Sequence, residues 1–403
     1  MSLRTRLAAL GPGLLVAATG VGAGDLATAA YSGNKLGVTV LWAVLFGAAL
    51  KFVLNEGIAR WQLATGETLL EGAFTRFGAW SRWVFLAYLV FWSFFVGSAL
   101  IGACGVSATA IFPLGDNLLV SKIAWGILHS AVGVFLVRKG GYRLFEKIMA
   151  VGIGLMFLTV TATAVLTRPD WGAVAHGMIV PSLATDGLAW TVALIGGVGG
   201  TVTVLCYGYW IREEGRVGAE HLSACRTDLA AGYAMTAIFG AAMVIIGSTT
   251  PIDGKGAGLL AALADRLGET LGGPGRVVFL IGAWAAIASS LLGVWQSVPY
   301  LFSDAWHQGT VVDAESPTYR GYLYALAIIP TAGLFIPFRE VQKLYAIVGA
   351  AFMPLLALSL LWLNGREAWV GPKFKNGITS QVALACVLGF FLFAAWIKLG
   401  GRV

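Results

Sequence analysis

The sequence predicts an all-α membrane protein of about eleven transmembrane helices in one polytopic domain, with the first and sixth helices broken at mid-span. Three observations lead there. The composition is far more apolar than that of a soluble chain, apolar runs of spanning length follow one another, and two glycine clusters stand five spans apart.

Of the 403 residues, 58% are hydrophobic and 12% charged, and the mean hydropathy is +0.80. A soluble chain carries about 25% charged residues, so most helices here are expected to face lipid. The 54 glycines suit close helix packing and interrupted spans. A net charge of +7 would suggest nucleic acid on a soluble protein. Here the basic residues lie mostly in short loops between apolar runs, which speaks for topology and against a nucleic-acid partner. Cys104, Cys206, Cys225 and Cys386 have neither metal nor disulfide spacing and are expected to pack. No cleavable signal peptide is expected, because the first apolar run is long and glycine-broken.

A span needs about 20 mostly apolar residues. Such runs lie near residues 10–31, 36–63, 83–112, 120–137, 144–166, 188–211, 228–248, 276–303, 320–336, 342–364 and 378–399. With the amino terminus inside, sixteen Lys and Arg fall in inner segments and ten in outer ones, which favours that orientation in a cytoplasmic membrane.

The first span reads GPGLLVAATGVGAGDLATAAYSG and the sixth LAWTVALIGGVGGTVTVLCYGYW. Matched interruptions in two halves point to an inverted-repeat carrier, with repeats at about 8–166 and 185–364 and an extra helix at about 376–400. The backbone carbonyls freed at such breaks are tolerated only where they line a cavity or bind something. Close packing alone is the competing explanation for the glycines.

Asp25 follows Gly22-Ala23-Gly24 in the first break. A carboxylate at membrane depth is a functional hypothesis by default. With the carbonyls around Gly22 it would offer an oxygen-rich cation pocket; capping the helix fragment that starts there is the alternative. In the sixth span Thr201 and Thr203 flank Gly199 and Gly200. Their hydroxyls suit hard ions, although threonine commonly bonds to its own helix. Cys206 is the one soft donor nearby. Asn55 and Glu56 in the second span are candidates for the pathway or a proton relay, or Glu56 pairs with Arg60 one turn on near the inner surface. Lys51, five residues before Glu56, is poorly spaced to pair with it. No nucleotide, zinc-protease or nucleophile motif is present, so neither an enzyme nor a cofactor is expected.

Several stretches, in order, resemble the Nramp (natural-resistance-associated macrophage protein) family of metal-ion transporters. They are GPG from Gly11, ARWQLATGETLLEG from Ala59, GGYRLFEKIMA from Gly140, RPDWGAVAHGMIVPSL from Arg168, and MPLLALSLLWLNGRE followed by GPKFKN. The resemblance implies a LeuT-type fold of two inverted five-helix repeats, alternating access, a divalent metal ion of the manganese or iron class as substrate, and protons as a partner besides the bilayer. It places the ion-binding positions at Asp25, Gly22, Gly200, Thr201 and Thr203, with Asp25 and Thr203 as metal ligands. The family motifs depart here. Asp-Pro-Gly-Asn is replaced by Gly22-Ala23-Gly24-Asp25, the metal-binding Met by Thr203, Pro-His by Val204-Leu205, the tenth-span Gln by Phe352, and the acidic residues of the third span are absent from WSFFVGSALIGACG. Without the thioether the pocket is all oxygen and suits Mg²⁺ or Mn²⁺. A carrier of another small solute, such as an amine or amino acid, or a membrane sensor or assembly partner, are the alternatives.

Overall fold

The computed structural model of the protein describes residues 11–22, 24–183, 187–250, 259–307 and 312–399. Ala23, the expected bounds at 8, 10, 185 and 400, the charges at Arg4, Arg6, Lys255 and Arg402, and both chain ends lie outside the described residues.

Every regular element among the described residues is helical. Among the described residues, eight helices are long and apolar enough to cross a membrane, by length and composition. They contain the expected spans two, three, four, six, seven, eight, ten and eleven. The other three have physical reasons to differ. The first is interrupted: α1 (Pro12–Gly20) opens on Pro12, whose missing N–H costs nothing at that position, and a five-residue π-helical turn, Gly24–Thr28, leads into α2 (Ala29–Leu36). The ninth is α12 (Pro317–Ile328), capped by Ser316, which passes at Pro330 into the tighter turn Ile329–Phe335.

The fifth shares one helical run with the fourth, α6 (Leu118–Leu166). This run cannot be straight. Trp284 Nε1 donates to His129 Nε2 at 2.8 Å, while a Cβ on Gly282 would stand 2.1 Å from Thr159 Oγ1. His129 and Thr159 therefore sit at one level of the same neighbouring helix, although thirty residues of straight helix would separate them by about 45 Å. The run turns back between them, and the two expected spans are its limbs. The eighth span starts after Gly272 (φ +72), where the run Leu259–His307 breaks its helical geometry.

Burial orders the spans from centre to rim. In the most apolar window of Leu188–Glu213, 83% of residues are buried, against 22% in Ile378–Trp396. The broken sixth span is thus the axis of the bundle, and the eleventh helix lies at its rim. Spans one and seven touch backbone to backbone at two levels. A Cβ on Gly232 would meet Gly13 O at 2.4 Å, and one on Gly247 would meet Ala30 O at 2.2 Å. Small residues permit this approach where lipid supplies no hydrophobic drive between helices.

Candidate functional site

The two breaks meet at the centre of the bundle. In the first span the helix stops at Gly20, and Val21 (ψ 77°) turns the chain out of helical geometry. Asp25 is the second residue of the π-helical turn that follows; such turns are frequent at functional sites. In the sixth, α8 (Leu188–Gly197) ends, Gly199 and Gly200 take φ of +73° and +91°, and a 3-10 turn, Val202–Leu205, leads into α9 (Cys206–Glu213). A Cβ on Gly20 would lie 2.5 Å from Gly199 C, so the two interrupted backbones are in direct contact.

Asp25 is 1% exposed. Its Oδ2 accepts the Gly199 N–H at 3.2 Å, a bond that caps the sixth-span break from the first span. Its Oδ1 is buried without a protein partner. Both readings of Asp25, cap and ligand, therefore have an oxygen available.

Carbonyls at the sixth-span break have a partner that sequence reasoning missed. Lys51 comes from α3 (Leu41–Thr65), the second span, and is 1% exposed. Its Nζ donates to Gly196 O (2.8 Å), Val198 O (3.1 Å) and Gly200 O. The ammonium has three protons to give, and each has a carbonyl. Lys51 and Asp25 thus reach the same break from different spans, Lys51 through the carbonyls and Asp25 through the Gly199 N–H. A signal was available: the sixteen inner and ten outer basic residues account for all of the 27 Lys and Arg except Lys51, the one placed in mid-span.

Other expected residues are distributed around this pair. Asn55, one turn after Lys51, donates to Tyr233 OH, and its Oδ1 is buried without a partner. The Tyr233 ring lies against Gly199, 2.8 Å from where its Cβ would be. The Thr203 hydroxyl borders Gly200, 2.8 Å from a Cβ there, and is buried. Thr201 Oγ1 accepts from Trp92 Nε1 at 3.0 Å, so it ties the break to the third span. Gly22 packs on the eighth span against Ser290, whose Oγ donates to Thr19 O at 2.6 Å. Cys206 turns to Ser297 of the eighth span. Among the described residues the other buried carboxylates, Glu56, Asp228 and Asp304, are held by partners away from the break, so Asp25 is the buried carboxylate that stands there.

Glu56 sits elsewhere. One oxygen accepts from Arg60 at 2.8 Å, the other from Arg226 at 2.7 and 3.0 Å. The expected pairing with Arg60 is present, and Arg226 extends it into a clamp between the second and seventh spans. Two further carboxylates that the sequence reading did not single out tie spans at the end of the bundle where the chain enters. Asp228 accepts from Gly13 N (2.7 Å), Tyr207 OH (3.3 Å) and Arg216 Nη1 (3.3 Å). Asp304 accepts from Thr68 Oγ1 (2.6 Å) and Tyr209 OH.

The family profile described as natural resistance-associated macrophage protein-like matches residues 13–399. The chain belongs to the Nramp family. Among curated Nramp-type relatives it is 24% identical to the divalent metal cation transporter MntH of Acidiphilium cryptum, over 94% of this chain and 88% of that one. It is also 23% identical to an uncharacterized protein of Pasteurella multocida, over 99% and 87%. Its fold is similar to that of a manganese transporter of Eremococcus coleocola, with a TM-score of 0.78 at 16% identity, covering 98% of this chain and 86% of that one. MhsT, solved in complex with L-phenylalanine, superposes with a TM-score of 0.64 at 16% identity, covering 96% and 97%. The all-α, LeuT-type arrangement with broken first and sixth helices is thereby established for this Nramp protein, as the sequence leads one to expect.

Proposed function

We propose that this Nramp protein carries divalent metal cations of the manganese and iron class, with magnesium admitted, across the cytoplasmic membrane by alternating access. The observation that carries the reading is the free, buried Asp25 Oδ1 at the contact of two broken spans. A carboxylate there offers charge, and the Gly200 carbonyl, the second lone pair of the Gly22 carbonyl, which already accepts the Leu26 N–H at 2.9 Å, and the hydroxyls of Thr203 and Thr201 would complete an oxygen shell suited to a hard ion. The repeats would run over about 8–166 and 185–364, with the helix at about 376–400 outside them. Under this reading protons accompany the metal ion, as the resemblance to the Nramp family implies.

The test is uptake of Mn²⁺, Mg²⁺ and Ca²⁺ by proteoliposomes. Transport of none of them would end the metal reading. In the same assay Thr203→Met introduces a thioether beside Gly200, and soft donors favour soft ions. Competition by Cd²⁺ relative to Mg²⁺ is expected to improve by roughly fivefold or more; an unchanged ratio would place Thr203 outside the ion shell. The Lys51 ammonium at the break favours a second reading, a carrier of a small solute bearing a carboxylate that pairs with it, and failure of all three ions together with amino-acid uptake would select it.

Orientation is part of the proposal. The basic-residue excess places the amino terminus inside and, with eleven spans, the carboxyl terminus outside. Reporter fusions at Met1 and Val403 are expected to read opposite sides; both ends on one side would require a different span count.

A further inference from the structure

We propose that Lys51 is a tethered cation that occupies the cargo's place in the empty carrier, and that an entering metal ion displaces it. The inference rests on the metal-transport reading above.

Three features lead there. The first is saturation. Gly196, Val198 and Gly200 O are carbonyls at the interruption of the sixth span, and all three accept from one Nζ. A metal ion using the Gly200 carbonyl would compete with Lys51 for it. The second is charge. Of the buried carboxylates among the described residues, Asp25 alone stands at the break, and Lys51 is the buried cation there. A divalent ion added while the ammonium stayed would meet a like charge with no further anion to offset it, so ion and ammonium exclude one another. The third is a landing place. Asn55 lies four residues after Lys51, on the same helix face, and its buried Oδ1 has no partner. The flexible four-carbon lysine stem can swing its ammonium toward that amide oxygen and leave the carbonyls and Asp25 to the cargo.

This arrangement has a consequence for the transport cycle. An empty carrier whose break held an unbalanced carboxylate and three carbonyls deprived of this donor would be costly to move through the bilayer centre. Lys51 supplies the missing cation, so the empty protein reorients without borrowing an ion. Net flux depends on that return step, whereas exchange of internal for external metal bypasses it.

Lys51→Leu removes the charge and brings in no metal-ligating atom. In proteoliposomes, net Mn²⁺ uptake into metal-free vesicles is expected to fall by about tenfold or more while Mn²⁺/Mn²⁺ exchange stays within about threefold of wild type. The thermal shift that Mn²⁺ produces in detergent is expected to grow, because the ion no longer has to displace a competitor. Lys51→Gln serves as the second variant should the first fail to fold. With wild-type transport intact, equal loss in both flux modes, or loss in neither, overturns the proposal, as does an unchanged thermal shift. Wild-type protein that moves no Mn²⁺ in either mode would instead overturn the metal reading itself.

Discussion

Asp25→Asn is expected to reduce divalent-metal uptake at least about a hundredfold while leaving the protein folded. Asparagine keeps an oxygen for the Gly199 N–H, and it caps helices about as well as aspartate, so the hydrogen bond that joins the two breaks survives. What disappears is the charge. At an effective dielectric of about 20, a unit charge at contact distance contributes about 4 kcal/mol per opposing charge; losing even 3 kcal/mol is about a hundredfold in affinity. Uptake in proteoliposomes, read beside a thermal-unfolding scan, separates the two roles of this residue. Near-normal uptake with near-normal stability would reduce Asp25 to a helix cap, and the cation site would have to lie elsewhere.

Gly200→Val carries the second large effect, and it acts through the backbone. Gly200 holds φ at +91°, a region that costs a β-branched L residue roughly 1–3 kcal/mol. A Cβ there would also press on Thr203 Oγ1 at 2.8 Å. The peptide is expected to rotate away, taking the carbonyl that Lys51 uses with it. Net uptake is expected to drop at least about tenfold, with a melting temperature lower by several degrees. A variant with wild-type uptake and melting temperature would show that the break tolerates ordinary backbone geometry and that its positive φ has no role.

The fold was legible because its determinants are local in sequence. Apolar runs mark spans, and the paired glycine clusters at Gly22 and Gly199 mark where two of them stop. Asp25 was legible because an acid in an apolar run is conspicuous in itself. Lys51 satisfied the same criterion and was still read only as a poorly spaced neighbour of Glu56. Its real partners are backbone carbonyls at 196, 198 and 200, which carry no side-chain identity, so no motif announces them. The Glu56 clamp was half visible. Arg60 is one turn away on the same helix, whereas Arg226, 170 positions distant, looked like one more loop charge. Asp228 and Asp304 sit at span ends, where an acid attracts little notice until three helices converge on it.

Those three carboxylates share a property that bears on how such a molecule could open. Glu56, Asp228 and Asp304 fasten the entry end of the bundle with hydrogen bonds and ion pairs between different segments. Water can replace each such partner at small net cost, since an exposed donor or acceptor simply exchanges one hydrogen bond for another. A seam closed by interlocked leucines would instead have to expose bare hydrocarbon each time it parted. The polar share of this fastening is one that wetting itself can undo and drying can restore.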